Sequence, residues 1–406
     1  MTITTPATAS TPTTPSPART AHQNNRDIQA LIASAAAGLV PMFDAQKQLF
    51  CARLIQSELG QSESGQSQSA ISARGMVQDG ISHRYTLITL MGLHRMEHAG
   101  TASPIGIMLA FDGLLRETAW VKSAGDLGLL LWLCALVAPE RIAEFLSRHD
   151  LEPALEKFAD GRERRTMELS WIFSGLAHAV HARPELRERL TPLASRLYAL
   201  LIENRGPAGA FGHQAPTAGL GGGVKGLLRG RLGSFADQVY PIYAFAWASR
   251  AFQFGEALNI SNACADNICK EQGPLGQWWW HYDAKSGAAV GKYPVYSVHQ
   301  HAMAPLALFA LMDAGGRDST REIYLGLEWI YGANELHLDM RDAASQTVWR
   351  CIRPTKTRRY LDEAKAMLKL GSRAPVPRTL HVLHECWPYE LGWLLYAFAA
   401  RAIEGD

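Results

Sequence analysis

The amino-acid sequence predicts an all-α protein in which about six helical hairpins form an (α/α) toroid around a central cavity. Three observations predict it: apolar residues at helical spacing along nearly the whole chain, an approximate internal repeat, and segments that are apolar around most of a helical circumference. Repeated hairpins cannot bury their apolar faces singly, so they stack into an open solenoid or a closed ring. The apolar segments 302–311 and 391–400 favour the ring, because a helix covered on both sides needs apolar residues all round.

The chain begins with a segment rich in Thr, Pro, Ala and Ser that lacks the apolar core of a signal peptide. Residues 1–25 are therefore predicted to be a disordered tail, and residues 26–406 a single toroid domain. Apolar residues at three- and four-residue spacing then predict helices over 28–59, 85–99, 104–122, 126–138, 166–182, 191–203, 237–258, 261–271, 299–314, 319–331, 360–370 and 388–403. Short strands are predicted only near 347–352 and 379–383, and flexible surface insertions over 56–72 and 206–233.

Composition excludes several classes of function. The 40 basic and 38 acidic residues leave a net charge of +2, so no nucleic-acid partner is expected. The most apolar segment, 127–138, is too short to span a membrane. Six scattered cysteines indicate buried thiols in a reducing cytoplasm. No phosphate-loop or dinucleotide motif is present, so no cofactor is predicted. No zinc-binding framework is present either, and His299 and His301 point to different sides of a helix, so no metal is predicted.

The internal repeat has the order helix, glycine–aromatic turn, loop and serine-initiated helix. The turn at 206–211 (GPAGAF) is echoed at 273–278 (GPLGQW), and the YPxY motif at 240–243 is echoed at 293–296 and, more faintly, as WPYE at 387–390. Serines precede apolar helices at Ser82, Ser234 and Ser297, and the pairs Ser234–Asp237 and Ser297–Gln300 have the spacing of a capping box. Such residues lie at amino ends of helices, where the potential favours anions.

With these motifs the chain resembles the six-hairpin (α/α) toroid proteins, which include many glycoside hydrolases, polysaccharide lyases and sugar epimerases, with terpenoid cyclases as more distant relatives. The segments that carry the resemblance are 276–283 (GQWWWHYD), 293–301 (YPVYSVHQH) and 384–390 (HECWPYE). The resemblance is to an architecture, and it implies a sugar site at the mouth of the cavity.

Candidate site residues come from the same motifs. Glycosidic chemistry needs a proton donor and a base or nucleophile, usually two carboxylates, and the predicted catalytic residues are Asp237, His299, Glu385 and Glu390. Three consecutive indoles cannot all point one way, so at least one of Trp278, Trp279 and Trp280 should leave the core and stack on a sugar. The other predicted substrate-binding residues are Arg84, Tyr85, Gln238, Tyr240, His281, Asp283, Gln300, His301, Arg353 and Tyr389.

Alternatives remain open at the level of sequence. Hydrolysis, β-elimination and epimerisation are unresolved, because elimination or epimerisation of a uronate would use Tyr or His as base and Arg to neutralise the acid. A terpenoid-handling toroid is a second possibility, although the acidic motifs of cyclases are absent, and a non-catalytic binding or scaffold protein is a third. Each candidate side chain could also serve as a cap or core group. The basic run Arg350, Arg353, Lys356, Arg358 and Arg359 is predicted to be a solvated face, with binding of an anion as the alternative.

Overall fold

The computed structural model describes residues 21–56, 75–151, 153, 165–214, 230–355 and 379–401. Residues 1–20 of the predicted tail, most of the insertion predicted at 56–72, the centre of the one at 206–233 and the helix predicted at 360–370 lie outside these ranges. The first helix begins at Ala21 and so includes the last five residues of the predicted tail.

Helices account for most of the described chain, as predicted. They are α1 (Ala21–Leu39), α2 (His83–His98), α3 (Ile107–Arg116), α4 (Ala124–Val137), α5 (Ile142–Arg148), α6 (Thr166–Ala182), α7 (Arg187–Glu203), α8 (Ala236–Ala251), α9 (Ala257–Lys270), α10 (Ala304–Asp313), α11 (Thr320–Ile330) and α12 (Pro388–Phe398). A single π-helical turn, His299–Met303, leads directly into α10. Across the described ranges no helix combines the length and apolar character needed to cross a lipid bilayer.

Six of these helices close into an inner ring. Helix α2 packs on α4, α4 on α6, α6 on α8, α8 on α10, α10 on α12, and α12 packs back on α2. The remaining helices form an outer layer, in which α3, α5, α7 and α9 each pack on the inner helix that precedes them, α1 packs on α12, and α11 packs on α10 and its π-helical turn. This arrangement confirms the predicted (α/α) toroid of six hairpins.

Glycines allow the closest contacts within the ring. A Cβ added to Gly175 of α6 would lie 2.4 Å from the backbone oxygen of Gly128 in α4. A Cβ at Gly92 of α2 would lie 2.1 Å from the backbone oxygen of Gly392 in α12. Any side chain at these positions would force the helices apart, so the glycines set the tight spacing of the inner ring.

Aromatic side chains fill the middle of the ring. Trp132 stacks on Tyr243, with ring centroids 4.8 Å apart, and its indole donates to Tyr396 Oη at 3.3 Å. Tyr243 also bonds Tyr396 (2.9 Å) and His178 (2.8 Å), and all four side chains are buried. Because this polar aromatic core fills the centre, surfaces that can receive a ligand lie at the two ends of the ring.

Short antiparallel strands lie around the amino ends of the inner helices. They are β1 (Phe43–Asp44), β2 (Leu49–Gln56), β3 (Met76–Ile81), β4 (Leu232–Ser234), β5 (His281–Asp283), β6 (Ala289–Gly291), β7 (Val295–Tyr296), β8 (Arg341–Asp342), β9 (Thr347–Val348), β10 (Cys351–Pro354), β11 (Leu380–Leu383) and β12 (Glu385–Cys386). The main sheets join β1–β2–β12 with β3 paired to β2, β11–β10–β7, and β4–β5–β6. Strands β3, β4, β7 and β12 run almost directly into inner helices and so fix where those helices begin.

The helix predicted over 28–59 is wrong beyond residue 39. Residues 49–56 instead form β2, which pairs with both β3 and β12. Short apolar runs satisfy helical and strand spacing equally well, and Pro41 interrupts the helical pattern before this run. Apart from the short neighbouring strand β1, the strands that pair with β2 lie elsewhere in the chain, so local spacing could not identify them. The helix predicted over 104–122 is likewise shorter, because α3 ends at Arg116.

The internal repeat has a structural cause. Gln238, in the first turn of α8, accepts a hydrogen bond from the Phe211 amide and donates to the Phe211 carbonyl, each at 2.8 Å. Gln300, in the π-helical turn before α10, bonds the same two groups of Trp278 at 3.1 and 3.5 Å. The preceding glycines, Gly209 and Gly276, share a left-handed φ near 90° (87° and 89°). Each glutamine therefore ties a glycine–aromatic turn to the start of an inner helix.

Candidate active site at the amino-terminal face

The amino ends of the inner helices meet at one end of the ring. Six side chains there form a compact group that we name the Arg350 cluster: Tyr85, Tyr296, Arg350, Trp387, Tyr389 and Glu390. They come from α2, from β7, from the residue before β10 and from the start of α12. Residues more than 300 positions apart in the chain thus converge, as the toroid predicts.

Arg350 is the centre of this cluster. Its Nη1 donates to Glu390 Oε1, and its guanidinium lies 3.4 Å from the centroid of Trp387 and 5.1 Å from that of Tyr296. The Tyr85 ring completes the group, with its centroid 4.7 Å from that of Tyr389. Only 12% of the Arg350 side chain is exposed. The guanidinium is therefore held by one carboxylate and two aromatic faces.

Glu390 is fully buried beside this cation. Burial raises the pKa of Glu390 to about 7, although the charge of Arg350 acts in the opposite direction. Burial acts to lower the pKa of Arg350, but Glu390, Tyr389 and Tyr296 together outweigh it and raise that pKa above its ordinary value. Glu390 Oε2 makes no hydrogen bond within the described residues. A carboxyl group with one oxygen unbonded and a pKa near neutrality can donate or accept a proton under physiological conditions.

The three consecutive indoles take different directions. Trp278 is fully buried, and Trp279 is buried with its indole nitrogen donating to the Glu271 carbonyl at 2.7 Å. Trp280 is partly exposed, and its ring lies 4.6 Å from Tyr296 and stacks on His299 at 5.8 Å. Trp280 therefore extends the aromatic surface that begins at the Arg350 cluster.

His299 supports that surface from below. Its ring is buried between Trp280 and Phe235, and burial lowers its pKa to about 3. The imidazole is therefore neutral at physiological pH, and Nδ1 lies 3.4 Å from the Trp278 carbonyl. His301 is also buried, and burial lowers its pKa to about 4.

Asp237 forms the capping box that its spacing with Ser234 predicts. Oδ2 accepts hydrogen bonds from the backbone and hydroxyl of Ser234, both at 2.8 Å, and from His213 Nδ1 at 3.1 Å. Oδ1 accepts from the Met167 amide at 3.3 Å. With 1% of the side chain exposed, this carboxylate is saturated by donors that hold the start of α8.

A second capping box, at the start of α4, has the same design. Asp126 Oδ2 accepts from the backbone of Lys122 and Ser123, and Oδ1 accepts from Arg84 Nε at 2.7 Å. The Arg84 guanidinium lies 5.1 Å from the Trp171 ring. The predicted binding residue Arg84 thus lies at the amino-terminal face, already paired with an acid.

The capping pair predicted from Ser297 and Gln300 is not formed. The Ser297 hydroxyl donates to the Trp349 carbonyl, and Gln300 donates to the Tyr296 carbonyl at 3.1 Å. The helix begins with a π-helical turn, which changes the positions of its first amides. Both side chains instead bind strands and turns beside the helix.

The other predicted site residues are used within the protein framework. Glu385 Oε1 accepts from Arg53 (3.0 Å) and Oε2 from Trp387 Nε1 (3.1 Å), which places it behind the Arg350 cluster. Tyr240 is buried, and its hydroxyl accepts from Trp393 Nε1 at 2.9 Å. Gln238 and Gln300 are buried in their turn contacts.

Three more predicted residues lie on strands. His281 is buried in β5. Asp283, at the end of the same strand, accepts from both Arg231 nitrogens and from Ser286 Oγ. Burial acts to raise the pKa of Asp283, but these hydrogen bonds outweigh it and hold the pKa below its ordinary value. Arg353 is exposed on β10 and donates to His381 Nε2 at 3.1 Å.

Three residues of the Arg350 cluster are absent from the predicted site: Tyr296, Arg350 and Trp387. The prediction that Arg350 belongs to a solvated face is wrong, because its side chain is buried against Glu390 and Trp387. Trp387 was visible only as a faint echo of the YPxY motif. Within the described ranges no three His, Cys, Asp or Glu side chains are close enough to hold a metal ion.

No family model matches the chain, and no curated protein matches it in sequence at a significant level. Solved structures do match. A glycosidase variant in complex with glucose is 14% identical with a TM-score of 0.54, covering 96% of this chain and 100% of that one. A possible member of the GH105 family from Salmonella enterica serovar Paratyphi A is 12% identical with a TM-score of 0.55, covering 94% of each chain.

A further solved structure, an unsaturated glucuronyl hydrolase specific for heparin, is 12% identical with a TM-score of 0.52 and covers 95% of this chain and 97% of that one. At these identities the likeness concerns the fold. It agrees with the six-hairpin (α/α) toroid architecture that the sequence predicts.

Proposed function

We propose that this chain is a carbohydrate-active protein that binds an oligosaccharide or polysaccharide at the amino-terminal face of the toroid. The reaction would be of the glycoside hydrolase, lyase or uronyl epimerase type. The observation that carries this proposal is the Arg350 cluster, where a buried carboxyl group with a pKa near neutrality lies beside a cation and partly exposed aromatic rings.

The aromatic surface supports a sugar ligand. Trp280, Tyr296 and Trp387 are partly exposed and come from separate segments, so together they present rings at different orientations. Pyranose rings pack their C–H faces on such aromatic surfaces while their hydroxyl groups remain available for hydrogen bonds. The toroids of similar fold that are named as glycosidases support the same class of ligand.

Glu390 is the residue we assign to proton transfer, which requires the substrate or a bound water to reach its buried Oε2. Its pKa of about 7 leaves both protonation states populated at neutral pH, which suits a group that donates and then recovers a proton. Arg350 would hold Glu390 in place and neutralise negative charge on the substrate or transition state. Glu385, joined to the cluster through Trp387, is the candidate for a second carboxylate.

Asp237 and His299 we assign to positioning rather than to proton transfer. The four donors on Asp237 leave it no free lone pair aimed at a ligand, and His299 lies beneath Trp280. The six unpaired cysteines are in keeping with a reducing compartment, so we also propose a cytoplasmic location.

Binding measurements on a panel of neutral and acidic oligosaccharides, with prenyl diphosphates as a second arm, test this function. A Trp280→Ala variant should lower the affinity for the sugar that binds by about five- to tenfold, since a stacked ring contributes about 1–1.4 kcal/mol. Tyr324→Ala, on the outer helix α11, is the matched control and should leave it unchanged. Binding of prenyl diphosphates alone, or of no ligand at all, would contradict the proposal.

A further inference from the structure

A second group of charged residues lies at the opposite end of the ring, where the inner helices end. A small cavity of about 30 Å³ opens there between the carboxyl-terminal halves of α2, α8, α10 and α12. Three arginines line it, Arg95 from α2, Arg250 from α8 and Arg401 just after α12. The proposed sugar site involves none of them.

The arginines are held in place by aromatic rings. The guanidinium carbon of Arg95 lies 4.5 Å from the Tyr396 centroid, and that of Arg401 lies 4.2 Å from the centroid of Phe309. Arg250 lies 5.7 Å from the Trp247 centroid. Arg95 also hydrogen-bonds Tyr396, and Arg401 donates through Nη2 to Asp313 and to the Phe309 carbonyl. A guanidinium has five N–H donors and stacking uses none of them, so further donors remain for a ligand.

Negative charge in the cavity wall balances only part of this positive charge. Among the described residues that line the cavity, Asp313 is the single carboxylate, and it accepts from Arg401. Within the same ranges neither Arg95 nor Arg250 forms a salt bridge. The carboxyl end of a helix favours a cation, which accounts for one arginine at the end of each helix. It does not account for three arginines around one cavity.

We infer that this cavity is a binding site for a small oxyanion of the phosphate or sulfate class, either free or as the terminal group of a phosphorylated metabolite. A single water needs about 10–15 Å³ of such space, so the cavity holds more than one and suits a compact anionic group. The ligand would accept charge-assisted hydrogen bonds from Arg95, Arg250 and Arg401. Arg250 is exposed, so the cavity can be reached from solvent.

Calorimetric titration of the full chain tests this site, with inorganic phosphate in one arm and glucose 6-phosphate in the other, each at constant ionic strength. Arg250→Gln should weaken phosphate binding about tenfold, the expected loss for one charge-assisted contact. Arg189→Gln, which removes the same charge from the exposed face of α7, should leave it unchanged. Tighter binding of glucose 6-phosphate than of phosphate identifies a phosphorylated metabolite, and equal binding identifies the free ion.

Asp313→Asn gives a test of opposite sign. Removing this carboxylate frees Arg401 and removes a competing negative charge, so phosphate should bind several-fold more tightly. Absence of phosphate binding at about 10 mM, a concentration at which even a weak millimolar site is largely occupied, overturns the inference. An equal loss in Arg250→Gln and Arg189→Gln also overturns it, because that result means attraction to the overall charge of the protein. Arg250 is exposed, so its variant should keep the fold even if substitution of Arg95 does not.

Discussion

Asp237 and Glu390 occupy equivalent places in the toroid and differ in what surrounds them. Each lies in the first turn of an inner helix, α8 or α12, and each is buried. Asp237 accepts hydrogen bonds from four donors, whereas Glu390 is bonded by Arg350 through Oε1 and has no partner for Oε2 within the described residues. The same sequence signal therefore gives a structural cap in one hairpin and a candidate acid–base in another.

The difference arises from the loops that precede the helices. Ser234 stands three residues before Asp237 and supplies both a hydroxyl and an amide. Trp387 stands three residues before Glu390 and has no side-chain hydroxyl, and Glu390 instead accepts a hydrogen bond from Arg350, the residue before strand β10. When neighbouring residues in the sequence supply no hydrogen-bond donors, the partners of a carboxylate come from distant parts of the chain. Burial without enough donors then raises its pKa.

The largest effect should follow Glu390→Gln. Glutamine keeps an oxygen for Arg350 but cannot transfer a proton, so turnover of the sugar identified by binding should fall by about 100-fold or more while affinity is retained. Steady-state kinetics measure it. Glu140→Gln, the same exchange at an exposed position just after α4 and away from the Arg350 cluster, is the matched control and should leave turnover unchanged. Full activity in Glu390→Gln would show that Glu390 is not the acid–base. Glu390 and Asp237 would then differ in structure but not in function.

Asp237→Ala should instead reduce stability. Four donors at the start of α8 would lose their acceptor inside the protein, which should lower the free energy of unfolding by about 3 kcal/mol. Chemical denaturation measures this loss. Asp112→Ala, which removes a half-exposed partner of Arg141, should cost less than about 1 kcal/mol. An unchanged stability together with lost turnover would assign Asp237 to catalysis.

The pH dependence of stability tests the Glu390 carboxyl group directly. The pKa of Glu390 rises from 4.5 to about 7 on folding. Between pH 4.5 and pH 7, Glu390 is therefore mostly protonated in the folded protein and mostly ionised in the unfolded chain. Its stabilising contribution is complete below about pH 4.5 and is lost as the pH rises through about 7. Relative to Glu390→Gln, the wild-type protein should lose about 2 kcal/mol between about pH 5 and pH 7.5. A constant difference between the two proteins would show that Glu390 does not titrate in this range.

The sequence predicts the ring well and the site only partly. Helical spacing and apolar inner segments depend on local chemistry, and they correctly predict six hairpins. The first-turn residues Arg84, Tyr85 and Glu390 could be placed at one face because the repeat places helix starts together. Such patterns are properties of the fold, so they appear even when no single motif identifies a family.

Arg350 could not be assigned in the same way. It belongs to a basic run, and its direction depends on the backbone pairing of its carbonyl with the Ser297 amide and on the position of α12. Residues 49–56 pose the same difficulty, because two of their three strand partners come from the chain beyond residue 75 and beyond residue 384. Where long-range pairing decides the structure, local spacing leaves several answers open.

Replacing either of the two glutamines that bind the glycine–aromatic turns should cause a smaller loss of stability, of similar size in both variants. Gln238→Ala and Gln300→Ala should each destabilise the protein by about 1–2 kcal/mol, since each frees a backbone amide and carbonyl of a buried turn. Thermal unfolding measures both, with Gln46→Ala on an exposed turn as the control. A loss in one variant and none in the other would show that the two repeats differ in what holds them together.

The smallest effect is expected from Arg353→Ala, three residues from Arg350. Arg353 is exposed, and its Nε donates to His381 across β10 and β11, so its loss should change stability by less than about 0.5 kcal/mol. Sugar affinity should stay within about twofold of wild type if the Arg350 cluster is the whole binding surface on this side. Arg350→Ala, in contrast, removes the cation that lowers the pKa of Glu390, so Glu390 should be protonated at neutral pH, and the lost hydrogen bond and ring contacts should cost about 1–3 kcal/mol of stability. A tenfold loss of affinity in Arg353→Ala would extend the sugar site along β10, because an exposed arginine has no other means of affecting the ligand.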